Sequence, residues 1–142
     1  MVATVSVLLL PNIIVYTDEQ IRDIKAFCFD RSQGSVLSFV RTFNFGSIYV
    51  TASVYKNVVL RSNRTGEAPI FLGPLFIHGH SDTDSYGVFF GHLATRFADT
   101  DQSQLTLGSD EELALRKCMN IFSHEQLALC VPDISAKMLR AN

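Results

Sequence analysis

The stretch FIHGHSDTD, residues 76–84, gathers the side chains best suited to hold a cation. His78 and His80 alternate, so on an extended strand both project to one side, with Asp82 and Asp84 close behind. Zinc takes four ligands in near-tetrahedral geometry, and this inventory is sufficient for one ion. The same residues also suit a turn and a helix start, with Ser81, Asp82 and Asp84 in the turn and Asp84 or Ser85 as cap. His92 falls off the apolar stripe of the helix that follows and His124 falls in a turn, so both are expected in solvent. Cys28, Cys118 and Cys130 are odd in number and far apart, without a C-x-x-C pair, which fits a reducing compartment. Cys118 belongs to a helical apolar face and is expected in the core. A Gly-rich phosphate loop, a nucleophile elbow and an H-E-x-x-H pair are all absent from the sequence.

A second constellation is electrostatic. Net charge is −2, which opposes strong non-specific attraction of the whole chain to nucleic acid. Between Arg31 and Gly66, however, lie five basic residues and no acidic one. Arg41, Lys56, Arg61 and Arg64 are therefore candidates for a phosphate-facing surface. The alternative is that these side chains solvate one exposed sheet face.

The elements that must position these groups fit one domain. The chain has 142 residues, of which 47% are hydrophobic and 18% charged, apolar enough to build a core. No apolar run approaches the roughly 20 residues of a membrane helix, and no membrane partner is expected. The opening MVATVSVLLLP lacks a positive n-region and reads as an exposed or strand-like leader. Thr17 and Gln20 form a capping-box pair, and Ile21, Ile24 and Cys28 recur at helical spacing behind it. A helix is expected to about residue 29, packed on the domain from outside its core.

Three strand-like runs follow, over residues 35–43, 47–60 and 68–78, with Gly73-Pro74 as a bulge or edge feature. Short turns make them an antiparallel meander. Tyr86, Phe89, Phe90, Leu93 and Phe97 then mark one face of a helix. A strand over SQLTLGS, a helix from about 110 to 122, a strand over EQLALCV and a helix begun by DISAKMLR complete the order. Three meander strands followed by alternating helices and strands imply a mixed α/β sheet, preceded by an N-terminal helix. This order is that of ribonuclease-H-like folds.

At the level of residues, SVLSFVRTFNFGSIYVTASVYKNVVL, APIFLGPLFIHG, TLGSDEELALRKCMNIF and LALCVPDI resemble, in order and spacing, the core of a Mutator-like element (MULE) transposase domain. The resemblance runs from about residue 12 to the end. It implies a nuclear or cytoplasmic DNA-transposition protein whose partner is the DNA of transposon ends, with two Mg²⁺ or Mn²⁺ ions held by an aspartate, aspartate, glutamate triad. Two cations roughly 4 Å apart activate the attacking oxygen and stabilise the leaving one.

Residue by residue the carry-over is incomplete. Val40 stands where the family's first aspartate would be, and a valine coordinates nothing. Asp110, in GSDEE, matches the second acid and is the one expected metal ligand, although an acid at a strand-to-helix junction also caps a helix. The third acid would lie beyond residue 142, and Asp133 stands where the family has a histidine three residues after Cys130. The expectation is an N-terminal extension over residues 1–34 and a transposase core over 35–142, catalytically silent and without bound metal. The alternative is a non-catalytic nucleic-acid-binding or protein-interaction module that reuses the fold. The histidine segment is expected at the end of the sheet away from the strands' carboxyl ends.

Overall fold

A computed structural model describes residues 2–7, 10–109, 113–119 and 129–130. The chain begins with a hairpin rather than with a helix. Strand β1 (Val2–Val7) pairs antiparallel with β2 (Leu10–Val15), and β2 continues into the main sheet by pairing with β5 (Ile70–His78).

Helix α1 (Asp18–Cys28) comes next, and its start is set locally. Thr17 Oγ1 accepts from the Gln20 amide at 3.1 Å, while Gln20 Oε1 accepts from the Thr17 amide at 2.8 Å. Two amides that a helix start would leave without partners are thereby satisfied. The helix is not peripheral, contrary to expectation. Ile21, Ile24 and Cys28 are buried in the main core, because β2 carries the chain onto the sheet and delivers α1 across it.

The meander consists of β3 (Leu37–Phe45), β4 (Ile48–Lys56) and β5, paired antiparallel in sequence order. The β4–β5 register shifts between Ala52 and Val54, opposite Gly73-Pro74, so the anticipated bulge is present. A Cβ on Gly73 would lie 2.5 Å from Ser53 Oγ and 3.3 Å from Ile24 Cδ1, so a side chain here would have to displace Ser53 of β4 and press on Ile24 of α1.

Helix α2 (Thr83–Arg96) follows, then β6 (Leu107–Ser109), α3 (Leu113–Met119) and β7 (Leu129–Cys130). The cap of α2 is Asp82, whose Oδ1 accepts from the Ser85 amide at 2.9 Å, rather than Asp84 or Ser85. The five spaced apolar residues from Tyr86 to Phe97 are all buried, as their periodicity requires.

The sheet order is β1-β2-β5-β4-β3-β6-β7, with β3, β6 and β7 mutually parallel. One apolar core joins this sheet to α1, α2 and α3. Phe39 projects into it against Phe89 and Phe90, at ring-centroid distances of 5.8 and 4.8 Å. Residues that alternate with it, such as Val40, face the other side of the sheet. Lys25 and Asp99, 2.7 Å apart, and Arg96 and Asp18, 2.8 Å apart, tie α1 to the C-terminal end of α2 at the surface. No helix among the described residues is long and apolar enough to cross a membrane. The terminal helix expected from DISAKMLR lies outside the described residues.

Candidate functional site

The strand directions decide where chemistry could gather. In an open mixed sheet, ligands collect beyond the carboxyl ends of strands where the order reverses, which here is between β3 and β6. Leu37, Ser38 and Phe39 pair in parallel with Leu107, Gly108 and Ser109. Asp110 itself, the expected acid, lies outside the described residues.

Val40 is 5% exposed and pairs with Ala52, itself 3% exposed. The position where the resemblance led to the expectation of a first acid is thus an apolar contact between two strands, with no side-chain oxygen. Among the described residues no group of three histidine, cysteine, aspartate or glutamate side chains is placed to hold a metal ion.

The histidine segment sits at this same end of the sheet, which corrects the expectation. Both β3 and β5 run antiparallel to β4, so they run parallel to each other. Tyr49 of β4 pairs with Asn44 on one side and His78 on the other, which puts His78 beyond the level of Val40. Two chain reversals restore the original direction; the expectation had counted one.

His78 is nonetheless a structural histidine. It is fully buried, stacked on Phe76 at 4.4 Å and on Tyr49 at 5.7 Å, with Tyr86 edge-on at 5.2 Å. Its Nδ1 lies 2.7 Å from the His80 carbonyl oxygen, which can only accept, so Nδ1 carries the hydrogen. Nε2 is then the acceptor for the Thr51 hydroxyl at 2.8 Å. Both ring nitrogens are engaged, and His80 contributes its backbone rather than its imidazole. Asp82 is occupied as the α2 cap, and its bond from the Ser85 amide holds its carboxyl below the usual value.

Around this core Arg41 donates from Nη1 to Ser81 Oγ at 2.7 Å, and its guanidinium lies 5.3 Å from the Tyr49 ring centroid. Cys118 Sγ donates to the Thr83 carbonyl at 3.1 Å, which brings α3 against the start of α2. Burial, then the charges of Asp84 and Asp82, raise the Cys118 thiol. Burial pushes the Cys28 thiol up to about 12. Neither thiol is poised as a nucleophile.

The four basic candidates do not form one surface. Arg41 lies midway along β3, while Lys56 closes β4 at the end of the sheet away from His78, with Arg61 and Arg64 in the loop after it. Five residues separate Lys56 from Thr51, the partner of Arg41, about 17 Å along a strand. Arg61 also spends Nη1 on the carbonyls of Val58 and Leu60, at 3.1 and 3.2 Å, fastening its own loop.

One cluster had no signal in the sequence. His92, expected in solvent, is half-buried and its Nε2 is hydrogen-bonded with the Tyr16 hydroxyl at 2.8 Å. Arg96 lies over the Tyr16 ring at 5.6 Å and reaches Asp18. Burial, then the charge of Arg96, lower the His92 pKa. His124 lies outside the described residues. Set against protein-family models, curated proteins and solved structures, the chain matches none.

Proposed function

We propose that this chain is a ribonuclease-H-like domain of the MULE transposase type that no longer performs strand transfer. What supports the reading is the strand order. Setting aside the β1–β2 hairpin, β5-β4-β3-β6-β7 places a three-strand meander beside two strands parallel to its first, a 3-2-1-4-5 sheet. The observation that carries the loss of chemistry is the buried Val40–Ala52 pair, at the position where the resemblance would put the first acid.

In a complete relative, Mg²⁺ or Mn²⁺ at the carboxyl ends of these strands would activate the attacking oxygen and stabilise the leaving one. Among the described residues, the side chains at this end of the sheet do not fit that group. Val40 supplies no oxygen, His78 is committed to Thr51 and His80, and Asp82 to its helix. DNA is the partner this reading retains, which would place the protein in the nucleus. The test is incubation of supercoiled plasmid with the protein and Mg²⁺ or Mn²⁺. No nicking is expected, and nicking that disappears in Asp110→Ala would overturn the proposal.

A second reading, a non-catalytic module that binds a partner protein through the end of the sheet where β4 finishes and β5 begins, is favoured by one observation. Lys56, Arg61 and Arg64 share that end with Ile70 and Leu72, which are 44% and 46% exposed. Aliphatic surface rimmed by cations suits a protein better than a phosphate backbone.

A further inference from the structure

We infer that the outer edge of β5 from Ile70 to Gly73 docks an extended acidic peptide segment of a partner protein, which adds to the sheet as a strand. This deepens the second reading above and rests on it.

The first support is the backbone. Strand β2 pairs with β5 only at Leu75, Phe76 and Ile77, and after Val15 the chain turns away into α1. Ile70–Gly73 is thus left without a strand neighbour on that side among the described residues. The direction of its polar groups follows from one bond. The Asn57 amide donates to the Pro69 carbonyl at 3.0 Å, so Asn57 and Pro69 face each other as a hydrogen-bonded pair.

Antiparallel pairs alternate, so Lys56 with Ile70 and Val54 with Leu72 are non-hydrogen-bonded pairs. The amides and carbonyls of Ile70 and Leu72 therefore point away from β4, toward the open lane. Two contacts agree with this. Leu72 O accepts from Gln20 Nε2 at 3.1 Å, and the Lys56 amide turns from β5 to donate to Ser35 Oγ at 3.0 Å. Gln20 is a side-chain placeholder at the position a strand would take. Unpaired edges of this kind are templates for β-augmentation.

The second support is the side chains. Phe71 packs against the core, so Ile70 and Leu72 lie together on the opposite face, where each remains nearly half exposed. A strand laid beside them would cover both with residues at alternate positions. Lys56 is exposed beside Ile70, and Arg61 and Arg64 follow in the adjoining loop. Glu67 is the one acidic residue against these three cations in residues 56–73. The complementary partner carries aliphatic side chains at alternate positions and carboxylates near them. Duplex DNA would leave Ile70 and Leu72 uncovered, and a lipid surface would offer no ladder to the Ile70 and Leu72 backbone.

The test is fluorescence anisotropy with a labelled synthetic peptide of alternating glutamate and valine. A second peptide, with every valine replaced by proline, keeps the charge but cannot pair as a strand. The expected result is saturable binding of the first peptide alone, weakening as salt rises and at least about tenfold weaker for Leu72→Glu. Because Leu72 is on the surface, circular dichroism of that variant is expected to match the wild type. Equal binding of the proline peptide, or an unchanged affinity for Leu72→Glu, would overturn strand addition. Two further probes separate this from the reading on which it rests. Equal binding of the two peptides that is lost in Lys56→Glu overturns strand addition and leaves protein binding at this end of the sheet standing, whereas binding of duplex DNA or phosphatidylserine vesicles in place of either peptide overturns both. If no probe binds, both fall.

Discussion

Phe39 of β3 faces Ser109 of β6 across a parallel ladder, the last pair described between these two strands. The next residue of β3, Val40, is buried against Ala52 of β4 and offers no side-chain oxygen. The neighbouring imidazole of His78 does not compensate, since its hydrogen bonds run to Thr51 and to the His80 backbone.

The role of His78 as a structural group gives a prediction that separates it from a ligand. Thr51→Val keeps the shape of the side chain but leaves buried Nε2 without a donor, at a cost of about 1–3 kcal/mol. His80→Ala removes an exposed imidazole and keeps the carbonyl that His78 uses, so its cost is expected within about 0.5 kcal/mol. Urea unfolding of both variants measures the difference. Comparable losses in the two would contradict the structural role assigned to the His78–Thr51 bond.

Gly73 is expected to resist substitution. Gly73→Ala drives a methyl against Ser53 Oγ and Ile24 and should cost about 1–3 kcal/mol. Adding Ser53→Ala removes the nearer obstacle, so the pair should be non-additive in a double-mutant cycle. Strict additivity would mean that the bulge relaxes freely.

These positions also show what was legible in the sequence. The capping box at Thr17 and Gln20 and the apolar face from Tyr86 to Phe97 are local patterns, and both are present where the spacing puts them. Gly73-Pro74 likewise announced the bulge. The β2 strand was less visible, because LPNIIV has no clean alternation and its partner lies some sixty residues away in β5. The end of the sheet reached by His78 was misplaced through strand direction, a property of topology and not of composition. The environment of His92 depends on Tyr16, 76 residues distant, and no periodicity encodes such a contact.

The His92 contact has a pH consequence. Burial, then Arg96, hold its pKa below the ordinary value of 6.5. As pH falls through that value, the unfolded chain takes up a proton that the folded chain resists. Stability therefore declines on acidification from 6.5 down to the lower folded value. His92→Gln, which removes the titrating group, should flatten that part of the profile when urea midpoints of the two proteins are compared. Identical slopes for both would remove His92 as the cause.

The central claim, that the carboxyl ends of these strands no longer hold catalytic cations, is tested most directly by isothermal titration of the protein with Mn²⁺, alongside Asp110→Ala. The account predicts no saturable heat from either protein. Stoichiometric Mn²⁺ binding by the wild type that is abolished in Asp110→Ala would contradict it.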